Sequence, residues 1–204
     1  KIAGIKPAKG VSKELGIKQG NSVHSVLFEY YTSEFYKQNN TFYLAVFKEM
    51  LAKQNLTPLE FEIWTHKFKE YEIYENERLR AGFRVLECEK EVQSEFCGVQ
   101  IKGFIDRIDV GANGDVLILD YKTGEANVNS LQLAFYEALY GGEVRSAYYA
   151  LKNEPSLVSS KKSVEDLSDE IEKLKAINKT KINFERKSGA CAFCEYATLC
   201  RREL

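Results

Sequence analysis

The chain has 204 residues, 44% hydrophobic and 29% charged, and its 29 Lys+Arg against 30 Asp+Glu give a net charge of −1. That balance fits about one globular domain and excludes general disorder or a uniformly basic nucleic-acid coat, though not a local basic groove. No apolar run approaches the ~18 residues of a membrane span, no signal-peptide core opens the chain, and Lys1 rather than Met stands first, so the sequence reads as a fragment or processed chain.

Residues 1–20 carry Gly and Lys with weak patterning and read as loop. From Asn21, a candidate cap, Val23, Val26, Leu27, Tyr30 and Tyr31 recur at helical spacing. Phe42, Leu44, Val46, Phe47, Met50 and Leu51 mark a second helix. Thr57-Pro58-Leu59-Glu60 opens a third, with Thr as N-cap, Pro in the first turn and Glu at the capping-box position, running to about Phe83.

The pattern then changes to strands. Val85 to Phe96 and Val99 to Val110 are interrupted by Gly98, and a Gly111-Ala112-Asn113-Gly114-Asp115 turn follows. Val116-Leu117-Ile118-Leu119 is a continuous apolar run, as in a strand buried on both faces. Val128 to Tyr140 returns to helical spacing and stops at Gly141-Gly142. Val144 to Leu151 reads as a strand, 153–163 as a polar loop, and Val164 to Ile177 as a charged amphipathic helix before a Cys-rich tail. The expected fold class is α/β, a mixed central sheet flanked by helices behind a helical N-terminal region. A single domain is expected over 1–204: a helical region over 1–84, a sheet core over 85–152, and a helix with the Cys-rich segment over 153–204.

The densest chemical signal is Gly103-Phe104-Ile105-Asp106-Arg107-Ile108-Asp109, a turn, then Leu119-Asp120-Tyr121-Lys122-Thr123-Gly124. Strand alternation puts Asp120 and Lys122 on one face, and a hairpin sets Asp106 beside them while Asp109 points the other way. Two carboxylates and an ammonium at the end of a buried sheet are costly unless they serve one another. Paired carboxylates suit Mg²⁺ or Mn²⁺, and a nearby Lys can orient water or stabilise phosphate charge. Taken separately, the two motifs also fit a solvated turn and a surface salt-bridge cluster. Glu89 and Glu91 lie on the preceding strand, but alternation does not say which faces the site, and neither is given a catalytic role.

These residues resemble the PD-(D/E)XK nuclease pattern, in the form found in RecB/AddB-type nuclease domains of bacterial helicase–nucleases. Val23-His24-Ser25-Val26-Leu27 resembles that family's early His motif, and Gln132-Leu133-Ala134-Phe135-Tyr136 its Gln-x-x-x-Tyr motif. Cys191-x-x-Cys194-x5-Cys200 resembles its cluster-binding tail. The resemblance implies a restriction-endonuclease-like core and an Mg²⁺- or Mn²⁺-dependent deoxyribonuclease, exonuclease rather than endonuclease. It implies DNA as substrate and a helicase partner in double-strand-break repair by recombination; a cytoplasmic location without membrane association is expected from the missing export signal and the lack of a long apolar run. It makes Asp106 and Asp120 metal ligands, with the Tyr121 carbonyl and His24 as further metal ligands. Lys122 would assist the attacking water, and Gln132 and Tyr136, i and i+4 on one helix face, would hold Lys122 or touch DNA. A 4Fe–4S cluster on Cys191, Cys194 and Cys200 would need a fourth thiolate, which the resemblance places upstream of His24, where this chain has none.

Taken on spacing alone, five cysteines without an export signal favour a reducing compartment, with the close tail spacing pointing to a metal site rather than disulfides. Two other readings compete with the nuclease: a nuclease-like module that only holds DNA or a partner, and a zinc-binding interaction domain on the cysteines. No Gly-x-x-x-x-Gly-Lys-[Ser/Thr] loop exists, so no ATPase motor lies in this chain. His66, with Trp64, Lys67, Phe68 and Lys69, reads as a helix with one apolar and one charged face. The lysines from Lys161 onward are interleaved with acids and read as solvated surface.

Overall fold

The structure, a computed structural model, describes residues 8–176, with side chains from residue 20 onward. Contacts divide the chain into two units, residues 1–169 and 170–204. Four helices come first: α1 (Ala8–Thr32), α2 (Glu34–Asn39), α3 (Leu44–Leu51) and α4 (Pro58–Arg80). They are followed by β1 (Arg84–Phe96), β2 (Val99–Val110), β3 (Val116–Lys122), α5 (Gln132–Tyr140), β4 (Val144–Ala150), β5 (Ser156–Val158) and α6 (Val164–Ala176). The expected mixed sheet with flanking helices and a helical N-terminal region is what forms.

Three expectations are corrected. Residues 8–20, read as loop, belong to α1. Gly10, Gly16 and Gly20 each lower helix propensity by about 1 kcal/mol relative to Ala, which hides the helix from a pattern search. The stretch 153–163, read as a polar loop, contains the short strand β5, whose backbone pairs with β4 through Tyr148, Tyr149 and Ala150. The helix expected from Val128 begins only at Gln132, with Leu131 as its N-cap.

The α4 start forms as read. Thr57 Oγ1 accepts from the Glu60 amide at 3.3 Å, and the Glu60 carboxylate accepts from the Thr57 amide at 2.6 Å, a reciprocal capping box.

The sheet has five strands in the order β1-β2-β3-β4-β5. β1, β2 and β3 run antiparallel in sequence, β4 lies parallel to β3 after the α5 crossover, and β5 is antiparallel to β4. One face of β3, through Leu117, Leu119 and Tyr121, packs on the N-terminal helices with Tyr30, Phe42, Phe47, Phe68 and Tyr71. The Phe47 and Phe68 rings stack there at 4.1 Å. The other face, through Ile118 and Tyr148, packs on Leu133, Tyr136 and Leu139 of α5. β3 is thus buried on both sides, which is why it is a continuous apolar run.

Arg107 and Asp109 do not form the surface salt bridge that spacing also allowed: both are fully buried. Asp109 points to the helical layer, opposite Asp106, and accepts from Arg107 Nε at 2.6 Å and from Arg78 Nη2 at 2.8 Å. Arg107 Nη2 also donates to Glu75 at 2.6 Å. The two arginines and two carboxylates neutralise one another, with Tyr31 and Tyr149 donating further hydrogen bonds to Glu75. Such a cluster is tolerated inside a protein only because every charge is paired.

Candidate active site at a fork in the sheet

The β2–β3 ladder runs from Val110↔Val116 to Arg107↔Leu119. At Asp106 the side chain takes over from the backbone: its Oδ2 accepts the Tyr121 amide at 2.9 Å. Beyond that point β2 leaves β3 and continues with β1, and Gly103 comes under α5, where a Cβ would lie 3.1 Å from Leu139 Cδ2 and 3.2 Å from Phe135 Cε1. Asp106 therefore sits at the mouth of a fork, with Asp120 and Lys122 on the strand that continues.

Asp120 is buried at 2% exposure and turned toward α5. Its Oδ1 accepts from Gln132 Nε2 at 2.6 Å and from Tyr136 OH at 3.2 Å. Its Oδ2 contacts Lys122 Nζ at 2.5 Å, off the hydrogen-bond axis. Lys122 Nζ donates instead to Gln132 Oε1 at 2.9 Å and lies 5.1 Å from the Tyr148 ring centre. Gln132 also donates to Tyr136 OH at 3.0 Å. One amide thus grips both the carboxylate and the ammonium through its two ends, which the i,i+4 spacing of Gln132 and Tyr136 makes possible.

His24 reaches the same fork from α1. Its Nε2 lies 3.0 Å from the Tyr121 carbonyl oxygen. That oxygen can only accept, so Nε2 carries the proton and the other nitrogen is a bare lone pair in the neutral ring. The bare Nδ1 faces Asp106 Oδ2 at 3.4 Å. Burial holds the His24 pKa below the ordinary imidazole value, against the opposing pull of Asp120 and Glu89. A close approach brings the ring here: a Cβ on Gly20 would stand 3.1 Å from Thr123 Oγ1, so the bare glycine lets α1 lie against the end of β3.

Burial, then the neighbouring Asp120 charge, push the Asp106 carboxyl up to about 7. Glu89, which received no role from the sequence, adds to that push. Its carboxylate, a His24 nitrogen and an Asp106 oxygen all lie within 4.8 Å of one another. Asn21, His24, Ser25, Phe28, Glu89 and Asp106 line an open cleft. Glu91, the alternative, instead pairs with Lys102. The choice between them was hidden because it depends on hairpin register: Cys88 pairs with Arg107 and Lys90 with Ile105, which sets Glu89 across from Asp106.

The fork therefore gathers His24, Asp106, Asp120, the Tyr121 carbonyl, Lys122, Gln132 and Tyr136. Cys191, Cys194 and Cys200 lie outside the described residues. His66 is exposed on α4, while Trp64 and Phe68 are buried beneath it and Lys67 lies over the Trp64 ring at 4.8 Å. That is the amphipathic helix the spacing suggested, remote from the fork's hydrogen bonds.

The family model of the PD-(D/E)XK nuclease superfamily matches residues 1–201, nearly the whole chain. The chain belongs to the PD-(D/E)XK nuclease superfamily. The mixed five-stranded sheet with flanking helices is the restriction-endonuclease-like architecture of this superfamily. Among solved structures, the crystal structure of a repair endonuclease from Pyrococcus abyssi is similar over 59% of this chain and 46% of that chain, with 20% identity and a TM-score of 0.27. The PD-(D/E)XK chain thus spans less than half the length of that protein. No curated protein matches it. No helix among the described residues is long and apolar enough to cross a membrane.

Proposed function

We propose that this PD-(D/E)XK domain is a divalent-metal-dependent deoxyribonuclease whose reacting centre is the fork between β2 and β3. The observation that carries the reading is the Gln132 side chain bound simultaneously to Asp120 Oδ1 at 2.6 Å and Lys122 Nζ at 2.9 Å, beside Asp106. An amide placed so fixes the distance between a carboxylate and an ammonium that sequence spacing alone leaves free.

The donor set fits a hard divalent cation. Asp106 and Asp120 offer carboxylate oxygens, the Tyr121 carbonyl has a second lone pair, and His24 presents a bare nitrogen. These four would hold the ion, which when bound supplies Lewis-acid polarisation of a phosphoryl oxygen and a more acidic water. The protein's own groups do the remainder. Lys122 orients the attacking water and offers positive charge to the phosphoryl oxygens as they become more negative. Gln132 shares the ammonium with Asp120 through its Oε1, and Gln132 and Tyr136 both donate to Asp120 Oδ1, which fixes the orientation of the carboxylate. The Tyr121 amide holds Asp106 in the same way.

We further propose action at DNA ends, exonucleolytic rather than endonucleolytic, in concert with a helicase during recombinational double-strand-break repair in the cytoplasm, as the RecB/AddB-type motif set supports. An iron–sulfur cluster on Cys191, Cys194 and Cys200 rests on the C-x-x-C-x5-C spacing alone. It falls one thiolate short of four, so an upstream-extended chain should absorb near ~400 nm if the cluster forms.

The test is digestion of end-labelled linear DNA and of circular DNA with Mg²⁺, Mn²⁺ or EDTA. Metal-dependent loss of linear DNA with circular DNA spared is the expected result. DNA binding without cleavage, in any metal, would leave only the binding-module reading.

A further inference from the structure

We propose that Tyr148 is a positioning residue for Lys122: the face of its ring holds the ammonium at the fork through its charge, without an oxygen that takes up one of its protons. The proposal rests on the nuclease reading for what Lys122 does, and adds a residue from β4, which none of the sequence motifs touches.

The sheet register brings the two side chains together. β4 lies parallel to β3, with Asp120 beside Tyr148 and Lys122 beside Ala150. Residues two apart on a strand share a face, so Asp120, Lys122, Tyr148 and Ala150 belong to the α5 face of the sheet. Tyr148 accordingly packs with Ile118, Leu133, Tyr136 and Leu139. The small Ala150 leaves room beside it for the Lys122 stem. Lys122 Nζ lies over the Tyr148 ring, 5.1 Å from its centre, inside the ~6 Å range over which a ring quadrupole attracts a cation.

The second observation is the hydroxyl. Tyr148 is fully buried, yet its OH has no hydrogen-bond partner among the described residues. Its neighbour Tyr149, on the opposite face, is equally buried and donates to Glu75 at 3.0 Å. The hydroxyls of Tyr31, Tyr71 and Tyr136 have partners as well. A buried hydroxyl without a partner costs free energy. The fold therefore gains nothing from the Tyr148 hydroxyl, and what this side chain brings to the fork comes from its ring.

The third is the donor count of the ammonium. Lys122 Nζ carries three protons. Gln132 Oε1 accepts one at 2.9 Å, and Asp120 Oδ2 lies at 2.5 Å, off the hydrogen-bond axis. The ring adds attraction without an oxygen acceptor, and the Lys122 side chain keeps 26% exposure. An N–H thus remains for a water or a phosphoryl oxygen arriving from solvent. A long side chain with many rotamers is held by three groups and keeps a donor free, which is what orienting a water requires.

The experiment has two arms, both on the full chain. The first is nuclear magnetic resonance of the metal-free protein with isotope-labelled lysine. The ring current should shift the Lys122 ε-methylene protons upfield in the parent and in Tyr148→Phe, and Tyr148→Leu should return them to ordinary lysine values. The second is cleavage of end-labelled linear DNA at saturating Mg²⁺, with kcat and KM read separately. Tyr148→Phe should keep kcat within about twofold, and its melting temperature should hold or rise as the unpartnered hydroxyl is removed. Tyr148→Leu should lose about tenfold in kcat, with KM for DNA and Mn²⁺ affinity unchanged. Phenylalanine bearing one, two or three ring fluorines at position 148 keeps the shape and weakens the negative face. Its kcat should fall stepwise with fluorine number, in proteins that keep the core filled even if Tyr148→Leu does not fold. A side chain that only fills the core would give no such trend. A flat fluorine series in a parent that cuts DNA overturns the positioning role and leaves the nuclease reading standing. So does a Tyr148→Leu protein with the parent's kcat, or a Tyr148→Phe protein as impaired as Tyr148→Leu. A parent without the upfield shift overturns the contact itself. A parent that shows the shift but cuts no DNA in any metal overturns the nuclease reading and, with it, the use given to the contact.

Discussion

Asp106 carries the clearest pH signature in the molecule. Its carboxyl is pushed up to about 7 by burial and by Asp120, whereas in the unfolded chain it ionises near 4. Between those values the folded, metal-free protein binds a proton that the unfolded chain has released, so stability falls as pH rises from about 4 to about 7. The shift sets an upper bound of roughly 4 kcal/mol on that decline. Asp106→Asn should remove this slope and be more stable than the parent at pH 8, checked by urea denaturation in EDTA at pH 5 and pH 8. Metal must displace the same proton, so Mn²⁺ affinity of the parent should weaken as pH drops below about 7. At this scale much was legible. Asp106, Asp120 and Lys122 are separated by strand periodicity, and their side chains meet as that periodicity requires. Glu89 was not legible, because its orientation depends on a left-handed backbone angle and a hairpin register that no local pattern encodes.

α5 acts on the site through two side chains, Gln132 and Tyr136. Gln132 sits in the first turn, where it reaches β3 across the open end of the sheet. Gln132→Leu keeps the volume but removes both the acceptor for Lys122 and a donor to Asp120. Cleavage should fall by about 10–100-fold, the usual scale for supporting groups around a metal centre. Tyr136→Phe should cost less, because Gln132 still binds the same Asp120 oxygen. Steady-state rates at saturating metal, with circular dichroism to confirm the fold, check both. The start of α4 was readable from Thr57, Pro58 and Glu60 because capping is local chemistry. The first half of α1 was not, because Gly10, Gly16 and Gly20 weaken its helical signal, and the close approach of Gly20 to Thr123 is a tertiary contact that no local pattern shows.

Across the whole molecule, Glu75, Arg78, Arg107 and Asp109 tie α4 to β2, and Tyr31, Tyr121 and Tyr149 extend the ties to α1, β3 and β4. α1, β2 and β3, which present His24, Asp106 and the Asp120–Lys122 pair, are each bonded to this cluster. Arg107→Met leaves Glu75 and Asp109 buried with Arg78 as the remaining cation among these partners, and should destabilise the protein by about 3–5 kcal/mol, measured by urea denaturation. The α/β class was legible from the change of period near residue 85, since helical and strand spacing differ throughout. The depth of this cluster was not, because Asp-Arg-Ile-Asp has the same spelling on a surface as in a core. What distinguishes them is the acid and arginine that α4 delivers from some thirty positions upstream.

The central claim is that the fork hydrolyses DNA through Lys122 and the carboxylates beside it. The most direct measurement compares the parent with Lys122→Ala on end-labelled linear DNA in Mg²⁺ and Mn²⁺, with Mn²⁺ binding measured on both proteins. The account predicts metal-dependent cleavage by the parent and a loss of at least a hundredfold in Lys122→Ala, with Mn²⁺ still bound. Cleavage by Lys122→Ala at the parent's rate would contradict it.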